Sequence, residues 1–192
     1  MKVVLVDFYD SFTFNIKHYL ETLDVDVHVV KDDDVILKEI GEFDSIILSP
    51  GPGLPKETKN LFPILKNYSK THKILGVCLG MQGIAQFFDA EIYNLDRVYH
   101  GKMRTVAINN NSWLFSDLNN EMNVGLYHSW AVRLKKNDVL KITAQTEDDL
   151  VMAFEHESLN ICGVQFHPES ILTANGIEVF KNFLFNNRER KT

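Results

Sequence analysis

Three residues in this sequence have the types and spacing of a nucleophile, its base and an orienting carboxylate. Cys78 stands in Gly76-Val77-Cys78-Leu79-Gly80, the thiol version of the glycine-flanked elbow that carries a nucleophile at a strand-to-helix turn. Such a turn needs bare backbone on both sides, and the helix amino terminus that follows favours thiolate over thiol. A buried structural cysteine beside two packing glycines fits the pentapeptide equally well. A working thiol needs a histidine base, itself held by a carboxylate. Of the seven histidines, His167 stands in Gly163-Val164-Gln165-Phe166-His167-Pro168-Glu169-Ser170. Pro168 keeps this segment extended, so His167 and Glu169 project to one side. The competing reading is a turn whose His and Glu are only solvated. His18, His28 and His72 lie where no turn chemistry surrounds them and read as surface residues.

Acyl transfer at such a thiol also needs donors for an oxyanion. The backbone N–H of Leu79 directly follows the nucleophile. The loop Pro50-Gly51-Pro52-Gly53 is stiff and bare enough to approach a small substrate closely, although a Pro/Gly loop by itself is usually just a turn.

These residues must be placed by the elements around them. Residues 3–6, 45–48 and 74–77 are mostly apolar, residues 25–30 are rich in β-branched valine, and all four read as strands. Between them, a helix capped by Ser11 carries Phe12, Ile16, Tyr19, Leu20 and Leu23 at helical spacing. A second helix is expected over residues 56–68, with Pro63 as an irregularity, and a third over 79–88. Alternation of this kind implies an α/β fold with an open, mostly parallel sheet covered by helices on both faces. Active sites in such sheets collect at the carboxyl ends of the strands. Residues 93–100, 105–109, 122–127, 131–134, 139–146, 151–156 and 161–165 read as shorter strands of an antiparallel addition, and 175–185 as a final helix. No repeat or linker divides the chain, so residues 1–192 are expected to form a single domain.

Bulk composition narrows the chemistry. Hydrophobic residues make up 45% and charged residues 24% of 192 residues, enough for a real core. The net charge of −6 gives no field for nucleic acid or anionic lipid, and the basic tail at residues 188–191 reads as solvated. No apolar stretch approaches the roughly 20 residues of a membrane helix. Without a signal peptide, a cytoplasmic, reducing setting is expected, in which Cys78 and Cys162 are thiols and not a bridge. Cys162, in an apolar run, reads as inert core.

Taken together, the blocks resemble the class I, triad-type glutamine amidotransferases along essentially the whole chain. The matching segments are Asp7-Phe8-Tyr9-Asp10-Ser11-Phe12-Thr13, residues 49–53, residues 76–82, His100-Gly101-Lys102, Tyr127-His128-Ser129 and residues 163–170. The opening block combined with Ser-Pro-Gly-Pro-Gly is similar to the small subunit of anthranilate synthase and to its relative in aminodeoxychorismate synthase. The resemblance implies a flavodoxin-like amidotransferase fold in which Cys78 attacks the side-chain amide of glutamine, His167 relays protons and Glu169 orients the imidazole. It assigns Leu79 and Gly51 to the oxyanion hole, and Gly51, Pro52, Gly53, Gln82, Ser129 and Trp130 to glutamine binding. One position departs: Met81 stands where the family often has His. It lies outside the triad, is common in the imidazole-glycerol-phosphate synthase branch, and is not expected to impair catalysis.

The same resemblance implies that ammonia is the product and that a chorismate-binding synthase large subunit consumes it. No metal or cofactor is expected in this chain, since a Mg²⁺-dependent chorismate site would belong to the partner. Tyr9, Phe12, Phe14 and Tyr99 are candidates to touch that partner, with core packing the competing role for at least half of them. The acceptor branch stays open between anthranilate, for tryptophan, and aminodeoxychorismate, for folate. Two other functions compete: a stand-alone γ-glutamyl cysteine hydrolase, and a non-catalytic module that an intact Cys78, His167 and Glu169 argue against.

Overall fold

The computed structural model describes residues 1–109, 111–135 and 139–186; the basic tail at 188–191 lies outside them. In chain order the elements are β1 (Lys2–Asp7), α1 (Thr13–Glu21), β2 (Asp26–Lys31), α2 (Leu37–Ile40), β3 (Ser45–Leu48), α3 (Leu61–Tyr68), β4 (Lys73–Val77) and α4 (Leu79–Phe87). They continue as β5 (Glu91–Asn94), β6 (Lys102–Ile108), β7 (Glu121–Leu126), β8 (Trp130–Arg133), β9 (Leu140–Gln145), β10 (Val151–His156), β11 (Ile161–Val164) and α5 (Gly176–Phe185).

Nine strands form one sheet in the order β2-β1-β3-β4-β11-β10-β9-β6-β7. The first five run parallel, and β10, β9, β6 and β7 extend the same sheet as antiparallel strands. A separate antiparallel pair joins β5 to β8. The expected open parallel sheet with an antiparallel addition is what the chain builds. Alternation of side chains along the buried strands divides the core in two. Val3, Leu5, Ile47, Leu75 and Val77 face α1 and α5. Val4, Val6, Ile46, Leu48 and Ile74 face α2, α3 and α4. Uniformly apolar strands are therefore the signature of a sheet covered twice.

Local chemistry moves several boundaries. Ser11 is exposed and does not cap α1; Phe12 takes the cap position and its N–H is met by Asp10 Oδ1 at 2.8 Å. The helix expected from residue 56 starts at Leu61, because Pro55–Glu57 closes a separate 3₁₀ turn. Pro63 is then the third helical residue, where a missing N–H breaks no intrahelical bond. The strand expected over 93–100 ends at Asn94, and beyond it isolated bonds hold the chain, from Leu95 N–H to Ser129 O and from Tyr99 N–H to His128 O. Lys73 Nζ reaches back to the carbonyls of Phe183, Leu184 and Asn186 and closes the carboxyl end of α5.

The junction that positions the site is the packing of α4 beneath β3 and β4. A Cβ on Gly80 would collide with the Leu48 carbonyl and come within 2.7 Å of Leu48 Cβ, while one on Gly76 would lie 2.5 Å from the Gly80 carbonyl oxygen. Both obstacles are backbone and cannot swing aside. Gly80→Ala is expected to lower stability by about 2–3 kcal/mol, measured as a lower urea midpoint at unchanged slope.

Candidate active site

Strand register delivers the candidate residues to one edge. Val6 pairs with Leu48, Leu48 with Gly76, and Val77 with Val164. The residues just past these pairs, in the loops beginning at Asp7, Ser49, Cys78 and Gln165, therefore meet at the carboxyl ends of four parallel strands. Each loop is tied locally. Asp7 Oδ1 accepts the Tyr9 N–H at 2.9 Å and the Thr13 hydroxyl at 2.7 Å. Ser49 Oγ accepts the Phe8 N–H at 2.9 Å and donates to Pro50 O.

Cys78 occupies the apex with φ 51° and ψ −102°, a conformation that L residues rarely adopt. Its N–H donates to Val164 O at 2.8 Å, and its carbonyl receives the Gln82 N–H at 3.0 Å. The strand ladder on one side and the helix on the other thus hold it in the strained turn. The residue is 7% exposed, buried at the edge of the sheet.

His167 and Glu169 form a buried pair, with imidazole Nδ1 2.7 Å from Glu169 Oε1. The carboxylate only accepts, so Nδ1 carries the proton and Nε2 is left to face other groups. Nε2 finds no hydrogen-bond partner of good geometry among the described residues. Cys78 is nonetheless near enough to act on the ring's charge. Burial disfavours the imidazolium, but the proximity of Cys78, together with the hydrogen bond and charge of Glu169, outweighs it, and the His167 pKa is raised well above its ordinary 6.5. A protonated His167 beside the thiol is the state that favours thiolate. The rings of Phe12 and Tyr127 pack on the imidazole with centroids 5.2 and 4.9 Å away, and the His167 carbonyl accepts from Thr173 Oγ1 at 2.6 Å.

The Pro/Gly loop reaches the elbow through Gly51. A Cβ there would lie 2.5 Å from Leu79 Cδ2 and 2.8 Å from Phe8 Cβ, so only glycine lets this backbone rest against Leu79. Pro52 and Gly53 are exposed beyond it, and Gly53 has φ +74°. Gln82 is buried one turn beyond Leu79. Its Nε2 donates to Trp130 O at 3.0 Å and to Gln165 Oε1 at 3.1 Å. Ser129 sits beside Trp130 on the segment entering β8, its carbonyl accepting the Leu95 N–H at 2.8 Å. The predicted residues therefore gather in two groups around Cys78. Gly51 and Leu79 pack together on one side, and Gln82 and Trp130 are bonded to each other with Ser129 adjacent.

Other expectations sort by burial. His18 and His28 are exposed, and His72 is half-buried against Tyr68. Cys162 is a free, fully buried thiol whose pKa burial pushes well up. Met81 packs in the core where a Cβ on Gly163 would touch it, on the strand next to β4. Among the aromatic candidates for partner contact, Phe14 is 65% exposed and Tyr9 is also exposed. Phe12 packs on His167, and Tyr99 is buried, stacked on His128 at 5.2 Å. Among the described residues, no helix is long and apolar enough to cross a membrane, and no group of His, Cys, Asp and Glu could hold a metal ion.

Two buried side chains at the site carry contacts for which the sequence suggests no role. Gln165 places Nε2 3.5 Å from Cys78 Sγ. No spacing along the chain announces this contact, because it depends on β11 lying beside β4. His128 donates from Nδ1 to Trp130 O at 2.8 Å, a contact no local pattern announces.

An elbow cysteine with a buried His–Glu pair, faced by a glycine loop, is a constellation for thioester chemistry on an amide. The glutamine amidotransferase class-I family model matches residues 4–187. The chain belongs to the class-I glutamine amidotransferases. It is 42% identical over 185 residues, 96% of each chain, to a Haemophilus influenzae protein provisionally named anthranilate synthase component II. It is 37% identical over 185 residues, 95% of each chain, to the aminodeoxychorismate/anthranilate synthase component 2 of Bacillus subtilis. A solved Thermoplasma acidophilum structure, provisionally described as a GMP synthase subunit, superposes with a TM-score of 0.86 at 26% identity, covering 96% of this chain and 92% of that one.

Burial makes one histidine of this glutamine amidotransferase sensitive to acid. Desolvation, with a smaller contribution from the charge of His167, lowers the His128 pKa from 6.5 to about 4, against the Trp130 hydrogen bond that raises it. Between those values the unfolded chain binds a proton that the folded chain refuses, so stability falls as pH drops from 7 towards 4. His128→Asn keeps a donor towards Trp130 without the titration. Over that interval, urea unfolding should show the variant losing about 3 kcal/mol less than the parent.

Proposed function

We propose that this chain is the glutaminase subunit of anthranilate synthase, hydrolysing glutamine through a Cys78 thioester and delivering ammonia to a chorismate-binding partner subunit. The observation that carries the proposal is the buried His167–Glu169 pair acting on a cysteine held in a strained elbow. Family membership over residues 4–187 and the name of the Haemophilus relative support the choice of reaction and branch.

In this mechanism the Cys78 thiolate attacks the amide carbon of glutamine, and the oxygen takes the negative charge. The N–H groups of Leu79 and Gly51 are the proposed donors to that oxyanion, preorganised because Gly51 rests against Leu79. The carbon–nitrogen bond then breaks, with the His167 imidazolium protonating the leaving nitrogen to give ammonia and a γ-glutamyl thioester. Neutral His167 next takes a proton from water, which attacks the thioester carbon, and sulfur departs as thiolate with glutamate released. Glu169 holds Nδ1 throughout, so that Nε2 does every transfer. Gly51, Pro52, Gly53, Gln82, Ser129 and Trp130 are the proposed glutamine-binding residues. With both Gln82 amide protons engaged within the protein, its carbonyl oxygen is the group left for substrate.

Residues 1–192 would act as one glutaminase domain, cytoplasmic because a free thiol nucleophile works only while reduced. The acceptor chemistry, with its expected Mg²⁺-dependent chorismate site, would belong to the large subunit. Coupling between the two is chemically required, since ammonia released into neutral water becomes non-nucleophilic ammonium. The Bacillus relative's double name favours a second reading in which the same chain also serves aminodeoxychorismate synthesis.

Cys78→Ser is expected to lower glutamine hydrolysis by about 10³-fold or more, assayed as glutamate release from the complex with the anthranilate synthase large subunit. Anthranilate formation by that complex from added ammonia should persist, because only the ammonia source is lost. Glutamine-dependent synthesis that survived in the serine variant would remove Cys78 from the mechanism.

A further inference from the structure

His167 is not the only side chain that addresses the sulfur. Gln165 is 0% exposed and lies one residue past β11. Its main-chain N–H donates to Met152 O at 2.8 Å, fixing the backbone against β10. Its side-chain Nε2 lies 3.5 Å from Cys78 Sγ with hydrogen-bond geometry. Which end of an amide faces a neighbour follows from the network around it, and here the network allows one assignment. Trp130 O can only accept, so the nitrogen of Gln82 must face it at 3.0 Å. That nitrogen's second proton meets Gln165 3.1 Å away, which must therefore present oxygen. The NH₂ of Gln165 is left directed at the sulfur.

The far end of the chain is anchored as well. Trp130 O takes a second bond from His128 Nδ1 at 2.8 Å, and His128 is stacked on Tyr99, whose hydroxyl accepts from Arg104 at 2.9 Å. From His128 through Trp130, Gln82 and Gln165 to Cys78, the side chains form one continuous run of hydrogen bonds. Sulfur is the terminal acceptor, and a thiolate accepts far more strongly than a neutral thiol.

We propose that Gln165 is a catalytic residue of this site, its amide N–H holding Cys78 Sγ in the thiolate form and aimed there by Gln82. The proposal rests on Cys78 being the nucleophile. In the first step the bond keeps the thiolate populated for attack on the amide carbon. In the second, the carbon–sulfur bond breaks with its electron pair on sulfur, and the same N–H meets the returning charge. Gln82 thereby has a task besides contact with glutamine, since it sets the direction of the Gln165 amide.

The test is the alkylation of Cys78 by iodoacetamide in the purified chain, which involves no glutamine. Cys78→Ser serves as the blank, because Cys162 is fully buried. Gln165→Met removes the donor, and Gln165→Asn retracts it by one methylene while keeping a buried amide. Gln82→Leu leaves Gln165 in place but releases its aim, so the test survives if the Gln165 variants do not fold. His167 is the titratable side chain acting on Cys78 and is unchanged in all three. Each variant with a parent-like melting midpoint is expected to alkylate about tenfold more slowly at pH 7. The rates should converge with the parent's at pH 9.5, where the more alkaline solution makes stabilisation of the thiolate matter less. Rates within about twofold of the parent at pH 7, or equal slowing at both pH values, would overturn the proposal. If the alkylation contrast holds while the chain with its large subunit fails to hydrolyse glutamine, the proposed function falls and the role of Gln165 towards the thiol stands.

Discussion

The close approach of α4 to the ends of β3 and β4 sets the geometry of the site. Two missing side chains permit it. Gly80 lies against the Leu48 backbone and Gly76 against Gly80, so the chain reverses from strand to helix over a single residue. That residue is Cys78, forced to φ 51°. Strain of this kind costs on the order of 1–3 kcal/mol and persists only where surrounding structure over-determines it. Here the ladder bond from Cys78 N–H to Val164 O and the first helical bond into its carbonyl hold both ends. The residue consequently lies at the sheet edge, buried yet 7% exposed, where α4 begins and its free N–H groups favour negative charge.

The histidines near this edge are held in opposite charge states by similar burial. His167 has an anionic oxygen on Nδ1 and the thiol beside it, and these outweigh its desolvation. His128 has only a carbonyl for a partner, so desolvation wins and its pKa falls to about 4. A neutral His128 can donate from Nδ1 to Trp130 without placing a second positive charge next to His167. His167 is thereby the imidazole that favours the charged form, while His128 serves as a fixed donor. Tyr127 and Phe12 cover the His167 ring, which removes water and strengthens the interactions that remain.

Exposure separates the groups that work inside the site from those offered outward. Phe12 and Tyr99, both aromatic and both near the edge, are packed, on His167 and His128 respectively. Phe14, two residues from Phe12, is open to solvent, as are Tyr9 and Ile171. Sequence type does not distinguish these aromatics, because helical spacing alone decides which of two near neighbours turns inward.

Much was determined by the sequence alone. The apolar runs at residues 3–6, 45–48 and 74–77 specified buried parallel strands because both faces of such strands must be apolar. The elbow glycines and the His-Pro-Glu segment marked the candidate residues because their constraints are local. The segment expected to be extended is nevertheless a turn, closed by Ser170 N–H on His167 O at 3.1 Å, with the His167 and Glu169 side chains both buried. Boundaries failed where another residue supplied the bond, nearby in sequence in one case and across the fold in the other. Asp10 replaced Ser11 at the start of α1, and Ser129 and His128 held a segment after Asn94 that had read as strand. Tertiary structure alone decided that Gln165 meets Cys78, 87 positions away, and that Gln82 aims it. These contacts exist because parallel pairing sets Val77 beside Val164. Which carboxyl ends become neighbours is a property of strand order, and no spacing along the chain encodes it.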